Sequence, residues 1–257
     1  MKVIVVPCLQ DNYSYLLFDE QSNEAAVVDP SEAWPVLREL EKRQLRLQAV
    51  LCTHHHADHV GGLETLLEER GRVRVIGFEG DHSRIPLLNE LLADGQAFSV
   101  CGVSGRMLHT PGHTTGGVVY HLENHLFTGD TLFCGGCGRL FEGTAAQMLA
   151  SLDKLMGCDP ETLIYCGHEY TAVNLKFACQ VEPENQETAK RLARVQEERA
   201  RGLPSVPSTL ADERKTNPFL RCREPAFIQR VQANHALKDT GPEALFAFVR
   251  GLRNNFS

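Results

Sequence analysis

Ala49-Val50-Leu51-Cys52-Thr53-His54-His55-His56-Ala57-Asp58-His59 decides the reading of this chain, because an apolar, strand-like run empties directly into five possible metal ligands. Imidazoles and carboxylates are costly to bury unless something pairs with them, and a divalent cation pairs several at once. The H-x-H-x-D-H pattern therefore points to a hydrolytic metal site. His54 and His56 lie two apart and point the same way on an extended loop, whereas Asp58 and His59 fall where a helix begins at Val60-Gly61-Gly62 and turn toward a second ion. His55 then points elsewhere and reads as a structural or solvent-facing histidine.

Further along, polar residues stand beside glycine at the ends of later strand-like runs, as Gly112-His113, Gly129-Asp130 and Gly167-His168. Glycine lets the backbone turn sharply and approach a ligand closely. Together with the first cluster these make five imidazoles and two carboxylates, a complement for two adjacent cations, where one tetrahedral zinc takes only four ligands. His82, His121, His125 and His235 have no second ligand candidate at useful spacing and read as surface or core residues. His109 stands four residues before His113 and is the lesser candidate of the two, since glycine and threonine flank His113 in a flexible turn. Cys134-Gly135-Gly136-Cys137 has the C-x-x-C spacing but no matching second pair and no thioredoxin-like context, so it reads as small residues in a tight loop.

Up to about residue 170 short β-rich runs alternate with helical stretches; beyond it helix-forming segments dominate. Strands are expected at Val3 to Val6, Tyr15 to Phe18, Ala25 to Val28, Ala49 to Cys52, Val73 to Ile76, Gly105 to Leu108, Val118 to Leu122, Leu126 to Thr128 and Leu163 to Cys166. Helices are expected at Trp34 to Arg43, Gly61 to Glu69, Ile85 to Leu92, Ala145 to Met156, Thr188 to Arg201, Pro225 to Leu237 and Pro242 to Leu252. The predicted division is 1–171, carrying the site, and 172–257, helical.

The 257 residues suffice for a substantial core, and a net charge of −7 argues against a general nucleic-acid or membrane binder, which needs a basic face to release phosphate counterions. No run approaches the roughly 20 apolar residues of a bilayer span. Nine scattered cysteines suit free thiols in a reducing cytoplasm better than a disulfide frame. The chain reads as a cytoplasmic, monomeric enzyme acting on a small molecule.

Asp29 after a strand, the H-x-H-x-D-H cluster, then His113, Asp130 and His168 in that order resemble the metallo-β-lactamase superfamily. The resemblance implies an αββα sandwich, two mixed sheets face to face with helices outside and the metals at one edge. It also implies that His54, His56 and His113 hold one metal, Asp58, His59 and His168 the other, and that Asp130 bridges them. Thr128-Gly129-Asp130-Thr131-Leu132-Phe133, Gly136-Cys137-Gly138-Arg139, Gly167-His168-Glu169-Tyr170-Thr171 and Thr216-Asn217-Pro218-Phe219-Leu220-Arg221 are similar to the glyoxalase II, or hydroxyacylglutathione hydrolase, family, which adds a helical C-terminal domain. That likeness implies hydrolysis of S-D-lactoylglutathione and related S-2-hydroxyacylglutathiones to glutathione and D-lactate, in methylglyoxal detoxification. Substrate contacts carry over to Arg139, Phe141, Tyr170, Arg250 and Arg253. Arg139 stands where the family usually has lysine and Phe141 where it has tyrosine, so one hydroxyl contact to glutathione is missing.

In such a site two cations about 3.5 Å apart share a water and lower its pKa toward ~7, a metal polarises the thioester carbonyl, and Asp58 and Asp130 orient the nucleophile while binding metal. Zinc is the expected ion, with iron and manganese compatible with the same ligands. The rival readings are a glutathione persulfide dioxygenase using one iron, a lactonase or phosphodiesterase of the same fold, and a non-catalytic zinc-stabilised binding module. Structural zinc sites are usually closed and cysteine-rich, unlike this one.

Overall fold

In the computed structural model, which describes residues 1–235 and 237–256, the apolar N-terminal run becomes β1 (Lys2–Cys8), paired antiparallel with β2 (Asn12–Phe18) so that Val5 faces Tyr15. The chain divides into two units. The first comprises Met1–His109, Gly116–Gly129 and Tyr165–Glu169; the second comprises Thr110–Thr115, Asp130–Ile164 and the chain from Tyr170 onward.

In the first unit β3 (Glu24–Val28) continues antiparallel to β2. Parallel strands need a long crossover, and α1 (Ala33–Lys42) carries the chain to β4 (Arg46–Leu51) in that way. After α2 (Ala57–Val60) and α3 (Leu63–Arg70), β5 (Arg74–Phe78) joins β4 in parallel, and β6 (Glu90–Leu92) closes the six-stranded sheet. Every residue of β2 is buried, as expected of a strand covered on both faces. Leu16 and Phe18 belong to one buried cluster with Val36, Leu37 and Leu40 of α1 and Leu63 and Leu66 of α3. Tyr15, pointing to the opposite face, meets the rings of Phe127 at 5.6 Å and Tyr165 at 5.2 Å.

Those rings belong to a second sheet, in which β7 (Ala97–Val100), β8 (Val103–His109), β9 (Val118–Leu122) and β10 (His125–Gly129) are antiparallel neighbours in chain order. The Tyr120 hydroxyl donates to the carbonyls of Cys52 at 2.8 Å and Ile76 at 3.1 Å, tying the second sheet to the strand ends of the first. Two sheets face to face, with α1 and α3 on the outer side of the first, are the sandwich predicted from the sequence.

The second unit opens with Thr110–Thr115 and a hairpin of β11 (Leu132–Phe133) and β12 (Gly136–Cys137). Next comes α4 (Ala145–Met156), whose start is fixed by a capping box between Thr144 and Gln147. β13 (Leu163–Cys166) begins here, with Leu163 opposite Thr209 of β14 (Ser208–Thr209). The rest is helical: α5 (Thr171–Val181), α6 (Gln186–Ala200), α7 (Leu210–Thr216), α8 (Pro225–His235) and α9 (Pro242–Asn254). Phe219 anchors their core, with ring centroids 5.5 Å from Phe246 and 6.3 Å from Phe177.

Most expected elements appear within a few residues of their predicted bounds, but one prediction fails. Ile85 to Leu92 is not a helix. Asn89 pairs instead with the edge of β5, its side chain accepting from Val75 N at 2.8 Å and donating to Val73 O at 3.0 Å, and β6 follows. The helix expected over Gly61 to Glu69 appears as α3, separated from α2 at Gly62, whose N donates to Pro30 O at 2.8 Å. Strand β7 and helices α5 and α7 were not anticipated. Ala236, within the helix predicted over Pro225 to Leu237, and Ser257, at the end of the predicted 172–257 segment, lie outside the described residues.

All nine cysteines are free thiols, and only Cys158 and Cys179 are other than buried. Burial pushes the Cys101 and Cys137 thiols up to about 11. Aromatic-disulfide titration at pH 8 is expected to label no more than Cys158 and Cys179 rapidly in the native protein and every thiol after denaturation; fast native labelling of Cys137 would contradict the packing.

Candidate metal centre and substrate cavity

In the first unit the chemistry starts from Asp29, which is 2% exposed and has a φ of +48° at the end of β3. Its carboxylate accepts from Thr53 N at 2.7 Å, from the Thr53 hydroxyl at 2.6 Å and from His59 Nδ1 at 2.9 Å. Gly129 ends β10 against the same threonine: a Cβ there would stand 2.4 Å from Thr53 Oγ1, and its φ is +46°, so only glycine fits. From Thr53 the loop runs through His54 to α2, where Asp58 and His59 occupy one helical turn. His54 Nε2 lies 3.1 Å from His56 Nδ1.

His168 arrives from the far end of the sequence. Its Nδ1 donates to Asp11 Oδ1 at 2.9 Å, and its backbone bridges to Asn12. Asn12 in turn donates to the Asp58 carbonyl at 3.0 Å and to Asp58 Oδ2 at 3.1 Å. The Nε2 atoms of His168 and His59 consequently face Asp58 Oδ2 at 3.4 and 3.7 Å. The hydrogen bond from His168 holds the Asp58 carboxyl well below the usual carboxylate range, against the opposing effect of burial and with help from His59.

Asp58, His59 and His168 place one donor atom each within 4.8 Å of one another, as do Asp29, His54 and His59. The first group fits a divalent cation by its donor chemistry. Two imidazoles have Nδ1 committed to carboxylates, an arrangement that fixes ring orientation and raises the basicity of Nε2, and a deprotonated carboxylate stands opposite. Asp11 and Asn12 escaped the sequence reading; the only signal was an acidic-amide pair in the turn between two strands. Of the other histidines, His55 Nδ1 lies 3.6 Å from Asp81 Oδ2, His82 and His235 are exposed, and His125 stacks on Tyr165. His121 is half-buried. His109 stacks on Phe78 at 4.2 Å and, among the described residues, joins no group of donors close enough to share an ion.

In the second unit His113 and Asp130 come together, His113 Nε2 lying 3.3 Å from Asp130 Oδ2. His113 Nδ1 donates to the Arg139 carbonyl at 2.9 Å, and the His113 carbonyl accepts from the backbone of Phe141 and Glu142. Gly138 is required where the hairpin returns past Asp130, since a Cβ there would sit 2.0 Å from the Asp130 carbonyl oxygen.

Both residues open onto a cavity of about 450 Å³, within the range of small-molecule sites. Its other walls include Arg139, Phe141, Tyr170, Arg250 and Arg253, the five residues proposed from the sequence as substrate contacts. The Phe141 ring is 64% exposed and lies edge-on to His113 at 5.2 Å, and Tyr170 meets Phe133 edge-on at 5.5 Å. Arg250 is buried, donating to the Cys137 carbonyl at 2.7 Å and to Asn254 Oδ1 at 3.1 Å. Arg253 donates to Asn174 Oδ1 at 3.2 Å, and burial, with the neighbouring Arg250 and Arg139 guanidinia, pulls its pKa below the ordinary arginine value. Three crowded cations favour an anionic occupant. Phe133, Cys137 and Asn174, also in the wall, were not picked out as contacts from sequence.

Comparison with known proteins places these features in context. The model described as the metallo-beta-lactamase superfamily matches residues 10–168, and that described as the hydroxyacylglutathione hydrolase C-terminus matches residues 169–256. The chain is 47% identical over 250 residues to the hydroxyacylglutathione hydrolase of Gloeobacter violaceus, covering 96% of this chain and 97% of that one. It is 46% identical over 256 residues to the enzyme of the same name from Aeromonas salmonicida, covering 99% of each. Among solved structures, ETHE1 from Myxococcus xanthus is similar with a TM-score of 0.67 at 27% identity, covering 98% of both chains. TTHA1623 in a di-iron-bound form is similar with a TM-score of 0.60 at 25% identity, covering 86% of this chain and 100% of that one.

Replacing Asp11 by alanine is expected to weaken binding of a divalent metal about 10- to 100-fold, the usual effect of losing the partner of a metal-facing histidine. Competition against a chromophoric chelator measures it, and wild-type affinity would show that Asp11 does not orient His168.

Proposed function

The chain belongs to the hydroxyacylglutathione hydrolase family of the metallo-beta-lactamase superfamily and carries that family's glyoxalase II thioester hydrolase activity; from this premise we propose how its residues share the work. His54, His56 and His113 would hold one divalent ion and Asp58, His59 and His168 a second, with Asp130 as the remaining ligand. Two such ions supply Lewis acidity to the attacking water and to the thioester carbonyl alike. Zinc is the ion proposed, although a relative with a di-iron-bound form makes elemental analysis of the purified protein necessary. The preferred acyl group is D-lactoyl. The division proposed is a catalytic segment 1–171 and a helical substrate-binding segment 172–257, a reading that the two family matches, over residues 10–168 and 169–256, support.

The observation that carries the substrate reading is the cavity itself, where His113 and Asp130 share one wall space with Arg139, Arg250 and Arg253. Glutathione has two carboxylates, and guanidinium groups grip carboxylates strongly, bidentately where geometry permits. Arg139 and Arg253 take the carboxylates, while Tyr170, Phe133 and Phe141 offer ring faces and edges to the tripeptide. Anchoring the remote end brings the thioester toward His113 and Asp130, so that binding energy is spent on orientation. Asp58, held deprotonated, accepts a hydrogen bond from the attacking water and so orients it. A thiol of pKa about 8.5 leaves readily as thiolate, so no dedicated general acid is needed.

No helix among the described residues is long and apolar enough to cross a membrane. Nine free thiols support a reducing, cytoplasmic setting. Action as a monomer is part of the proposal, and light scattering tests it.

Metal-loaded protein is expected to hydrolyse S-D-lactoylglutathione rapidly, and chelator-stripped protein not at all until metal is restored; persistence of the thioester with metals bound would refute the substrate. Arg253→Ala is expected to raise KM about tenfold with kcat nearly unchanged, in line with about 1.5–3 kcal/mol for a hydrogen bond to a charged group. Phe141→Tyr is expected to lower KM about twofold to tenfold, because a new hydroxyl contributes about 0.5–1.5 kcal/mol. Steady-state kinetics on both variants decides, and a fall in kcat at constant KM for Arg253→Ala would count against the assignment.

A further inference from the structure

The hairpin β11–β12 spans the few residues between Asp130 and Arg139, so its placement sets where a metal ligand stands relative to a substrate cation. Its own pairing is slight, with only Leu132 opposite Cys137 and Phe133 opposite Gly136. The backbone groups around its turn are satisfied by side chains of the helical region instead. Gly135 N donates to Glu213 Oε2 at 2.7 Å. Asn217 Nδ2 donates to the carbonyls of Gly136 at 2.9 Å and Phe133 at 3.3 Å, and Asn174 Nδ2 donates to that of Cys134 at 3.2 Å.

Glu213 and Asn217 are completely buried. Glu213 is paired with the buried Arg191, which also donates to Thr216 Oγ1 at 2.6 Å and Ser208 Oγ at 2.9 Å, and Asn217 Nδ2 lies 3.1 Å from Glu213 Oε2. A buried ion pair costs several kcal/mol of desolvation per ion, and an apolar pair of similar volume is often as stable. Stability alone therefore gives little reason for an ionised glutamate at this place, whereas a carboxylate and an amide are suited to gripping one backbone N–H and two carbonyls at the tip of a hairpin.

We propose that Glu213 and Asn217 are positioning residues for the hydrolysis, acting through the β11–β12 hairpin to hold Phe133, Cys137 and Arg139 in place against Asp130. The inference rests on the cavity being the glutathione site. A slack hairpin blurs the cavity wall while leaving the ligands His54, His56, Asp58, His59 and His168 untouched, so the expected defect is in substrate binding and orientation rather than in the fold.

The test compares Asn217→Ala, Glu213→Gln and wild type as metal-loaded full-length enzymes, by kcat, KM and thermal melting. Asn217→Ala, which strips both carbonyls of their donor, is expected to raise KM about tenfold and lower kcat severalfold in protein that still melts cooperatively. Glu213→Gln keeps a carbonyl acceptor for Gly135 N and is expected to retain most of the wild-type kcat/KM, with a lowered melting temperature because the buried Arg191 loses its counter-charge. Wild-type kcat and KM in folded Asn217→Ala, with only the melting temperature lowered, would overturn the proposal and leave the network a structural one. Should Asn217→Ala fail to fold, the paired replacement Arg191→Met with Glu213→Leu removes the buried charges together and frees Gly135 N from its acceptor. It is expected to raise KM likewise, and unchanged kinetics would again overturn the proposal. Arg253→Ala, measured alongside, separates the two readings: a KM unchanged in Arg253→Ala but raised in Asn217→Ala faults the assignment of the cavity and not the role of the clamp.

Discussion

The carboxylate of Asp29 is the contact on which the first unit's site depends. Buried at the end of β3, it accepts three hydrogen bonds, two from Thr53 and one from His59. Leaving a buried donor or acceptor unsatisfied costs about 1–3 kcal/mol, more for a charged group, so the loop after β4 has little freedom to lie elsewhere. That loop must bring His54, His56, Asp58 and His59 out of an apolar strand within a few residues. Asp29 does this by holding the loop's first residue and its last histidine at once. Asp11 repeats the device on His168, and Asn12 repeats it on Asp58.

Satisfying polar groups also explains the second unit. The hairpin following Asp130 is too short to be held by its own ladder, and side chains from α5, α7 and α9 complete it. The helices are thus part of the cavity's construction as well as a source of cations. Arg250 combines both roles: it lines the cavity while its guanidinium binds the Cys137 carbonyl. The Arg139 carbonyl plays a comparable part, since it fixes His113 Nδ1 while the side chain of the same residue faces the cavity.

Much of this was legible in the chain as written. The short β-rich runs that became β9 and β13 and the periodic stretch that became α4 needed no tertiary help, and α4 carries its own start signal in Thr144 and Gln147. The metal-facing residues were legible because few other arrangements tolerate so many imidazoles at such spacing. Ile85 to Leu92 misled because its apolar spacing suits a helix, while the edge of β5 offered Asn89 a full set of backbone partners. The short strands β11, β12 and β14 left no periodic signal, being only two residues each.

The sequence by itself determined the chemistry on offer: which side chains are available to bind cations, the glycines that let them crowd, and the arginines that folding brings to the cavity wall. These are properties of residue type and local spacing. Only the tertiary structure decided which partners hold those side chains still. Asp11 lies 157 positions from His168, and Gly135 lies 78 from Glu213, so no local pattern relates them. Hydrogen-bond satisfaction acts at about 3 Å whatever the separation along the chain, and it is folding that creates that proximity.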